Sequence, residues 1–360
     1  MNIKTSLATG LERFALLIML VVVAVFFTFN PATPEFFTVA NLQNLLINQT
    51  LLVSLAVATT IPLVAGQIDL SVGPAAGLAA LVTAGVMSRH GAPLVVAIVA
   101  ALIVGLAVGL VGGLLIARIG ISSIVATLGM SSIILAIVYL YSGGTSIVTK
   151  ISPALTDFGI SRFLGLPSPV IVVFAICLVA WYVLGYTPVG RNLYAVGASP
   201  GAATLVGLSV SKYIAGSLMV AGAMVAVTGV LLVSIQGGAN PQLGASFTLP
   251  AVAAAFLGGT AYQRGRYNIM GTITAVFFIG VTINGLTLWG FEGWVSDLVN
   301  GLSLIIAVGI STVAGRRRSQ HAAIDAVHGS GPRQGSDGER TPTLDLLNPP
   351  LQHDHQSLDH

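Results

Sequence analysis

Gly66-Gln67-Ile68-Asp69-Leu70-Ser71-Val72-Gly73-Pro74 breaks a long apolar run with an acid, two glycines and a proline. The run before it, Leu42 to Ala65, is long enough to cross a hydrocarbon core, which takes about 20 residues. The run after it, Leu70 to Met87, is nearly as long. The stretch therefore reads as the connection between two membrane spans.

Outward from this pair, the same length rule marks ten candidate spans. They are Phe14 to Phe29, Leu42 to Ala65, Leu70 to Met87, Pro93 to Ala117, Ile121 to Tyr141, Pro169 to Tyr186, Ile214 to Ile235, Phe247 to Thr260, Ile269 to Trp289 and Val295 to Ala314. The eighth is short for a simple crossing, and short or interrupted helices tend to border a pathway instead of lipid. Composition agrees: of 360 residues, 55% are apolar and 8% charged, and the mean hydropathy is +0.92. A water-soluble fold needs more charge to cover its surface. The 42 glycines follow no collagen-like period and suit helices packed closely through small side chains. Cys177, the single cysteine, lies in an apolar run and forms no intrachain disulfide.

Lys4, Arg13 and the run Phe14 to Phe29 imitate a signal peptide, but Asn30-Pro31-Ala32-Thr33-Pro34 offers no small-residue cleavage site. The run is expected to stay as the first span. With the N-terminus inside, Lys4, Arg13, Arg118, Arg191, Lys212, Arg264, Arg266, Arg316, Arg317 and Arg318 fall on the cytoplasmic side, against Arg89, Lys150 and Arg162 outside. That bias predicts cytoplasmic termini. After Arg318 the composition turns to Ser, Gly, Pro, His and Asp. Residues 1–318 thus read as one transmembrane domain and 319–360 as a disordered polar cytoplasmic tail, in which His353, His355 and His360 are expected to be solvated.

Shifting the chain by 171 residues puts Gly66 on Gly237, Asp69 on Asn240, Gly73 on Gly244, Leu78 on Leu249, Gly109 on Gly280 and Leu115 on Leu286 without a gap. Spans two to five start outside and spans seven to ten start inside, so the halves would be inverted repeats, a recurrent transporter plan. The expected fold is an all-α membrane protein of about ten transmembrane helices with two inverted-topology repeats.

Two further stretches matter. One is Gly190-Arg191-Asn192-Leu193-Tyr194-Ala195-Val196-Gly197-Ala198-Ser199-Pro200, followed by Gly201-Ala202-Ala203 and Val206-Gly207-Leu208. The other is Leu257-Gly258-Gly259-Thr260, then Arg264-Gly265-Arg266, Gly271-Thr272 and Asn284-Gly285-Leu286. Together with 66–74 and in this order, they resemble the permease subunits of the ribose-type (monosaccharide) ABC importer family, over residues 1 to about 318. Gly201 stands where that family usually has an acid, and Ala261-Tyr262-Gln263 replace a Ser/Gly-rich run before Arg264.

The resemblance implies a bacterial inner-membrane permease that forms the pathway for a monosaccharide or similar small polyol. It also implies a second permease subunit, identical or a close paralogue, a cytoplasmic ATP-binding subunit and a periplasmic sugar-binding protein. No G-x-x-x-x-G-K-[ST] loop precedes Lys4, Lys150 or Lys212, so ATP would be bound by the partner and no cofactor is expected in this chain. Nor is catalysis, a metal site or a nucleic-acid partner expected: His90 has no nearby nucleophile, and the acids form no pair at a readable spacing. An ion-coupled secondary transporter would share the inverted repeats but would carry more buried ionisable groups than the nearly solitary Asp69. A channel would need a ring of polar or charged pore-lining groups.

Gln67, Asp69, Ser71, Asn240 and Asn284 are the candidates for the pathway and its gating. Asp69 also suits a helix cap near Ser71, with Pro74 in the first turn, while an acid at membrane depth costs about 2.5 to 3.5 kcal/mol and is usually functional when kept. Asn284, Asn300, Asn44 and Gln49 are expected to form interhelical hydrogen bonds. Arg264 and Arg266 read as topology determinants, and the outer loop from Ser142 to Ser168 as a platform for the binding protein.

Thr187 to Lys212 is the longest inside loop in the ordered chain and the candidate coupling element to the ATPase. Ser199-Pro200 predicts a helix start, Gly207 its end, and Ala202, Ala203, Leu205 and Val206 a short apolar face. Arg191, Asn192, Gly197, Pro200, Ala202, Ala203 and Gly207 are its candidate residues.

Overall fold

The computed structural model describes residues 13–163, 165–263 and 265–309. The expected tail at 319–360 and the cationic start with Lys4 lie outside the described residues, as does Arg264.

The elements are helical almost throughout. In chain order they are α1 (Ala15–Phe29), α2 (Val39–Val64), α3 (Val72–His90), α4 (Leu94–Leu114) with a π-helical turn at Leu115–Ile119, and α5 (Ser123–Ser142). There follow α6 (Pro153–Ile160), a hairpin of β1 (Arg162–Phe163) and β2 (Leu166–Pro167), and α7 (Ser168–Tyr186). The rest are α8 (Pro188–Ala198), α9 (Pro200–Leu205), α10 (Val210–Gln236), α11 (Leu243–Ser246), α12 (Thr248–Gly258), α13 (Ile269–Leu288) and α14 (Trp294–Gly309). Among the described residues, seven helices are long and apolar enough to cross a membrane: α2, α3, α4 with its π-helical turn, α5, α7, α10 and α13. Shorter apolar helices are α1, the α11–α12 pair and α14.

Burial sorts these helices by role. In α2 every residue from Thr50 to Val64 is buried, so it runs through the protein interior. In contrast α4, α5 and α7 show Val99, Ile103, Ile133, Phe174 and Val179 to the outside. An exposed apolar surface of that extent suits contact with hydrocarbon or with another membrane subunit.

The main seam lies between α4 and α10. Ala97, Ala101, Gly105, Gly109 and Gly113 recur every fourth residue on α4, so they share one face. A methyl group at Gly105 would overlap the Gly222 carbonyl of α10, and one at Gly222 would overlap the Gly105 carbonyl. Gly109 meets Leu218 and Met219 in the same way. The two backbones therefore touch, as small-xxx-small stripes allow in membranes. Buried hydroxyl pairs add polar links: Ser54 and Thr228 lie 2.7 Å apart between α2 and α10, and Thr60 and Thr272 2.9 Å apart between α2 and α13.

The eighth span, expected at Phe247 to Thr260, is the short helix α12, with the four-residue α11 just ahead of it. Two other segments differ from the sequence expectation. The loop from Ser142 to Ser168 holds α6 and the β1–β2 hairpin. A methyl at Gly159 of α6 would overlap the Ser234 carbonyl of α10, so α6 sits against protein. Thr187 to Lys212 holds two helices, α8 and α9, where one was expected.

Candidate functional site

The break after α2 is a turn, as the sequence suggested, but Ser71 and not Asp69 stands at the cap position of α3, with no side-chain cap bond. Gly66 takes the left-handed conformation (φ +79°) that ends α2. The Gly66 and Gln67 amides close the helix on the Leu63 and Pro62 carbonyls at 3.0 and 2.9 Å. The Ile68 amide then donates to Ser123 Oγ at 3.2 Å, which pins the turn to α5. Asp69 is only 7% exposed, and its Oδ1 accepts from the Ser71 amide at 2.9 Å and from Ser71 Oγ at 2.7 Å. This Asx turn delivers the chain into α3. Burial pushes the Asp69 carboxyl above the usual carboxylate range, and the two Ser71 bonds pull it back. Gln67 is half-buried beside it, its Nε2 3.5 Å from the Ala65 carbonyl.

The turn after α10 repeats the device. Gly237 ends that helix at φ +69°, and Asn240 Oδ1 accepts from the Gln242 amide at 2.9 Å. Ala239 is bridged to Ile147 by two backbone bonds of 2.9 Å. A methyl at Gly244 would crowd the Gly73 carbonyl and the Gly77 backbone, so α11 lies directly on α3.

Asn284 sits elsewhere. Asn41 Nδ2 donates to Asn284 Oδ1 at 2.9 Å and Asn284 Nδ2 donates back to Asn41 Oδ1 at 3.0 Å, tying α13 to α2. The five pathway candidates thus occupy three places: Gln67, Asp69 and Ser71 in one turn, Asn240 in another, and Asn284 in an interhelical pair. Asn300 bonds Ser296 Oγ within α14 at 3.4 Å. Gln49 lies over Gly280, and its buried Oε1 has no partner among the described residues. Asn44 is exposed and has no side-chain partner among the described residues, contrary to the interhelical bond expected of it.

The segment between α7 and α10 is a tied structure. Thr187 caps α8 by accepting from the Gly190 amide at 3.4 Å, and Pro188 fills the first turn. Three contacts hold α8. A methyl at Gly197 would overlap the Val64 carbonyl at the end of α2. Asn192 Nδ2 donates to the Tyr213 hydroxyl of α10 at 2.6 Å. The Tyr194 hydroxyl donates to the Tyr267 carbonyl, just before α13, at 2.5 Å, and the Arg266 guanidinium lies 3.7 Å from the centre of the Tyr194 ring. Burial raises the Tyr194 phenol, and Arg266 opposes that shift. α8 is thereby tied to α2, to α10 and to the segment just before α13.

α9 starts and stops as the sequence predicts. Ser199 Oγ accepts from the Ala202 amide at 3.3 Å, Pro200 is the first helical residue, and Gly207 has φ +84°. Its expected single apolar face is split. Ala203, 3% exposed, is buried with Val196, Ile214 and Leu218, whereas Leu205 and Val206 are 90% and 76% exposed. Arg191, Pro200, Gly201 and Ala202 are also exposed. A six-residue helix has too few turns for its sequence to show which side docks inward.

Residues 41–308 match the family described as branched-chain amino acid transport system / permease component. The chain is 32% identical over 301 residues to the ribose import permease protein RbsC of Escherichia coli (strain K12), covering 83% of this chain and 92% of that protein. It is 36% identical over 276 residues to the ribose import permease protein RbsC of Bacillus subtilis (strain 168), covering 76% and 85%. It is also 33% identical over 265 residues to the autoinducer 2 import system permease protein LsrD of Photorhabdus laumondii, covering 70% and 77%. No solved structure matches the chain.

Proposed function

The chain belongs to the branched-chain amino acid transport system permease family, as a ribose-type ABC permease, and from that premise we propose that it forms the membrane pathway of a bacterial importer for a monosaccharide or similar small polyol. The observation that carries the reading is the reach of the likeness, which spans nearly all of the E. coli ribose permease. ATP is hydrolysed on a separate cytoplasmic subunit, a second permease copy or close paralogue completes the pathway, and a periplasmic binding protein delivers the solute. The protein is a multi-pass inner-membrane protein. Purified permease, ATPase and binding protein in proteoliposomes are expected to take up labelled D-ribose only with ATP and loaded binding protein. Uptake driven instead by a proton or sodium gradient would replace this mechanism with secondary transport.

Ten spans are proposed: the seven long helices with α1, α11–α12 and α14. Residues 1–318 form the permease domain and 319–360 a polar cytoplasmic tail. The inverted-repeat plan is supported at matched positions. The 171-residue shift carries Val39, the start of α2, onto Val210, the start of α10. Gly66 and Gly237 both end their helices left-handed, Asp69 and Asn240 both make the bond to the amide two residues on, and Gly73 meets its counterpart Gly244. Both termini are placed in the cytoplasm. In a Cys177→Ala background, Ser199→Cys is expected to react with an impermeant thiol reagent only from the cytoplasmic side and Ser152→Cys only from outside. Outside labelling at Ser199→Cys would overturn the orientation and the repeat together.

The two Asx turns are proposed to border the pathway, with Gln67, Asp69 and Ser71 at one and Asn240 at the other. Asn240 makes its turn with an amide, so Asp69→Asn is expected to keep at least about half of wild-type uptake, since Asn serves in such turns as Asp does. Asp69→Ala loses both Ser71 bonds and is expected to lower stability by about 1 to 3 kcal/mol. Abolished uptake in an assembled Asp69→Asn complex would show instead that the charge gates the pathway.

A further inference from the structure

The N-terminal part of α2 carries amides where a membrane helix ordinarily carries none: Asn41, Gln43, Asn44, Asn48 and Gln49. They divide by face. Asn41, Leu45 and Gln49 follow one i, i+4 row, which lies against α13 through the Asn284 pair, Val281 and Gly280. Asn44 and Asn48 form the neighbouring row, and among the described residues neither has a side-chain partner. From residue 43 to the end of α2 they are the only two exposed side chains. This inverts the pattern of α4, α5 and α7, whose large exposed side chains are mostly Val, Leu, Ile and Phe, with a few tyrosines.

Depth excludes a simple escape to water. α2 has 26 residues, so at 1.5 Å per residue it is about 39 Å long, roughly 9 Å more than the hydrocarbon core. Even if the whole surplus projected beyond the N-terminal end, Asn48, about 14 Å along the helix, would lie within the core. An unpaired amide facing lipid tails there is strongly disfavoured. The row faces something that hydrogen-bonds. Neutral amides, offering both donor and acceptor, suit the hydroxyls of an uncharged polyol.

We propose that Asn44 and Asn48 line the water-filled part of the translocation pathway and hydrogen-bond the passing sugar. This rests on the importer reading. The exposed row ends at Asn48, and from Thr50 onward α2 is wholly buried.

The test uses the complete complex in proteoliposomes with Cys177→Ala in the permease. A charged, water-soluble thiosulfonate is supplied on both faces. Asn48→Cys is expected to react, and Leu106→Cys, exposed on apolar α4, is not. Asn48→Leu should assemble with the ATPase yet lose D-ribose uptake at least about tenfold, while Asn48→Ser, which keeps a hydrogen-bonding group, stays within about threefold of wild type. An unreactive Asn48→Cys would overturn the proposal, as would wild-type uptake by Asn48→Leu. ATP-independent uptake by the wild-type complex would defeat the importer reading instead, and the thiol reaction would still report whether water reaches Asn48.

Discussion

Replacing Gly222 by leucine is expected to remove most of the folded protein from the membrane fraction that survives detergent extraction. The atoms a side chain would strike are the Gly105 carbonyl and the Gly109 backbone, which have no rotamer by which to move aside. Separating α4 from α10 breaks the seam that buries Ala97, Ala101 and Gly109. Overpacking of a tight core costs about 1 to 3 kcal/mol and more where backbone is struck, a large share of the roughly 5 to 15 kcal/mol that holds a domain folded. Gly129→Leu on α5 is the control, because a side chain there meets nothing within 4 Å. The measurement is the yield of monodisperse protein and its thermal midpoint in detergent. A Gly222→Leu protein as stable as Gly129→Leu would disprove the backbone contact.

Leu205→Asp is expected to cut ATP-driven uptake by at least about tenfold while leaving the permease folded. Leu205 is 90% exposed, so its removal forfeits almost no internal packing, and surface changes of this kind are usually within about 0.5 kcal/mol. Its effect must come through a partner, for which an apolar knob on an anchored helix is a natural contact. Ala203→Arg provides the contrast. Ala203 is 3% exposed against Ile214 and Leu218, so an arginine there is expected to loosen α9 from its own permease. Co-purification of the ATPase, uptake and thermal midpoint separate the two outcomes. Wild-type uptake by Leu205→Asp would remove α9 as the coupling contact.

These two variants show where the sequence was sufficient and where it was not. The helix at Pro200 was legible because Ser199-Pro200 is a cap followed by a residue preset for the first turn. The same signature opens α8 at Thr187-Pro188 and α6 at Ser152-Pro153, short segments that hydropathy alone marks as loops. The break at Gly66 to Pro74 was legible because charge, glycine and proline interrupt an apolar run, and only a turn accommodates all three. What remained hidden are the partners. Nothing local in Asn284 announces Asn41, and nothing in Asn44 announces an open face, because both depend on how helices far apart in sequence come to rest. The orientation of Ala203 was hidden for the opposite reason: six residues are too few for a 3.6-residue period to choose a side.

The burial of α2 sets an order of events during synthesis. Its covering helices are α10, α13, α12 and α7, with little contribution from α3, and of these only α7 precedes α10 in the chain. The last residue of α10 is Gln236 and α2 ends at Val64. At 5 to 20 residues per second, that gap takes roughly 10 to 35 s to translate. During that interval Asn41, Gln49, Ser54 and Thr60 have none of their final neighbours on α10 and α13. The nascent N-terminal half must therefore wait, inserted but unassembled, with polar side chains held by the insertion machinery, by water or by transient pairing among its own helices. A ribosome stalled before α10 would leave a membrane-inserted fragment with hydrogen-bonding groups open to lipid, the kind of species that membrane quality-control proteases are placed to remove.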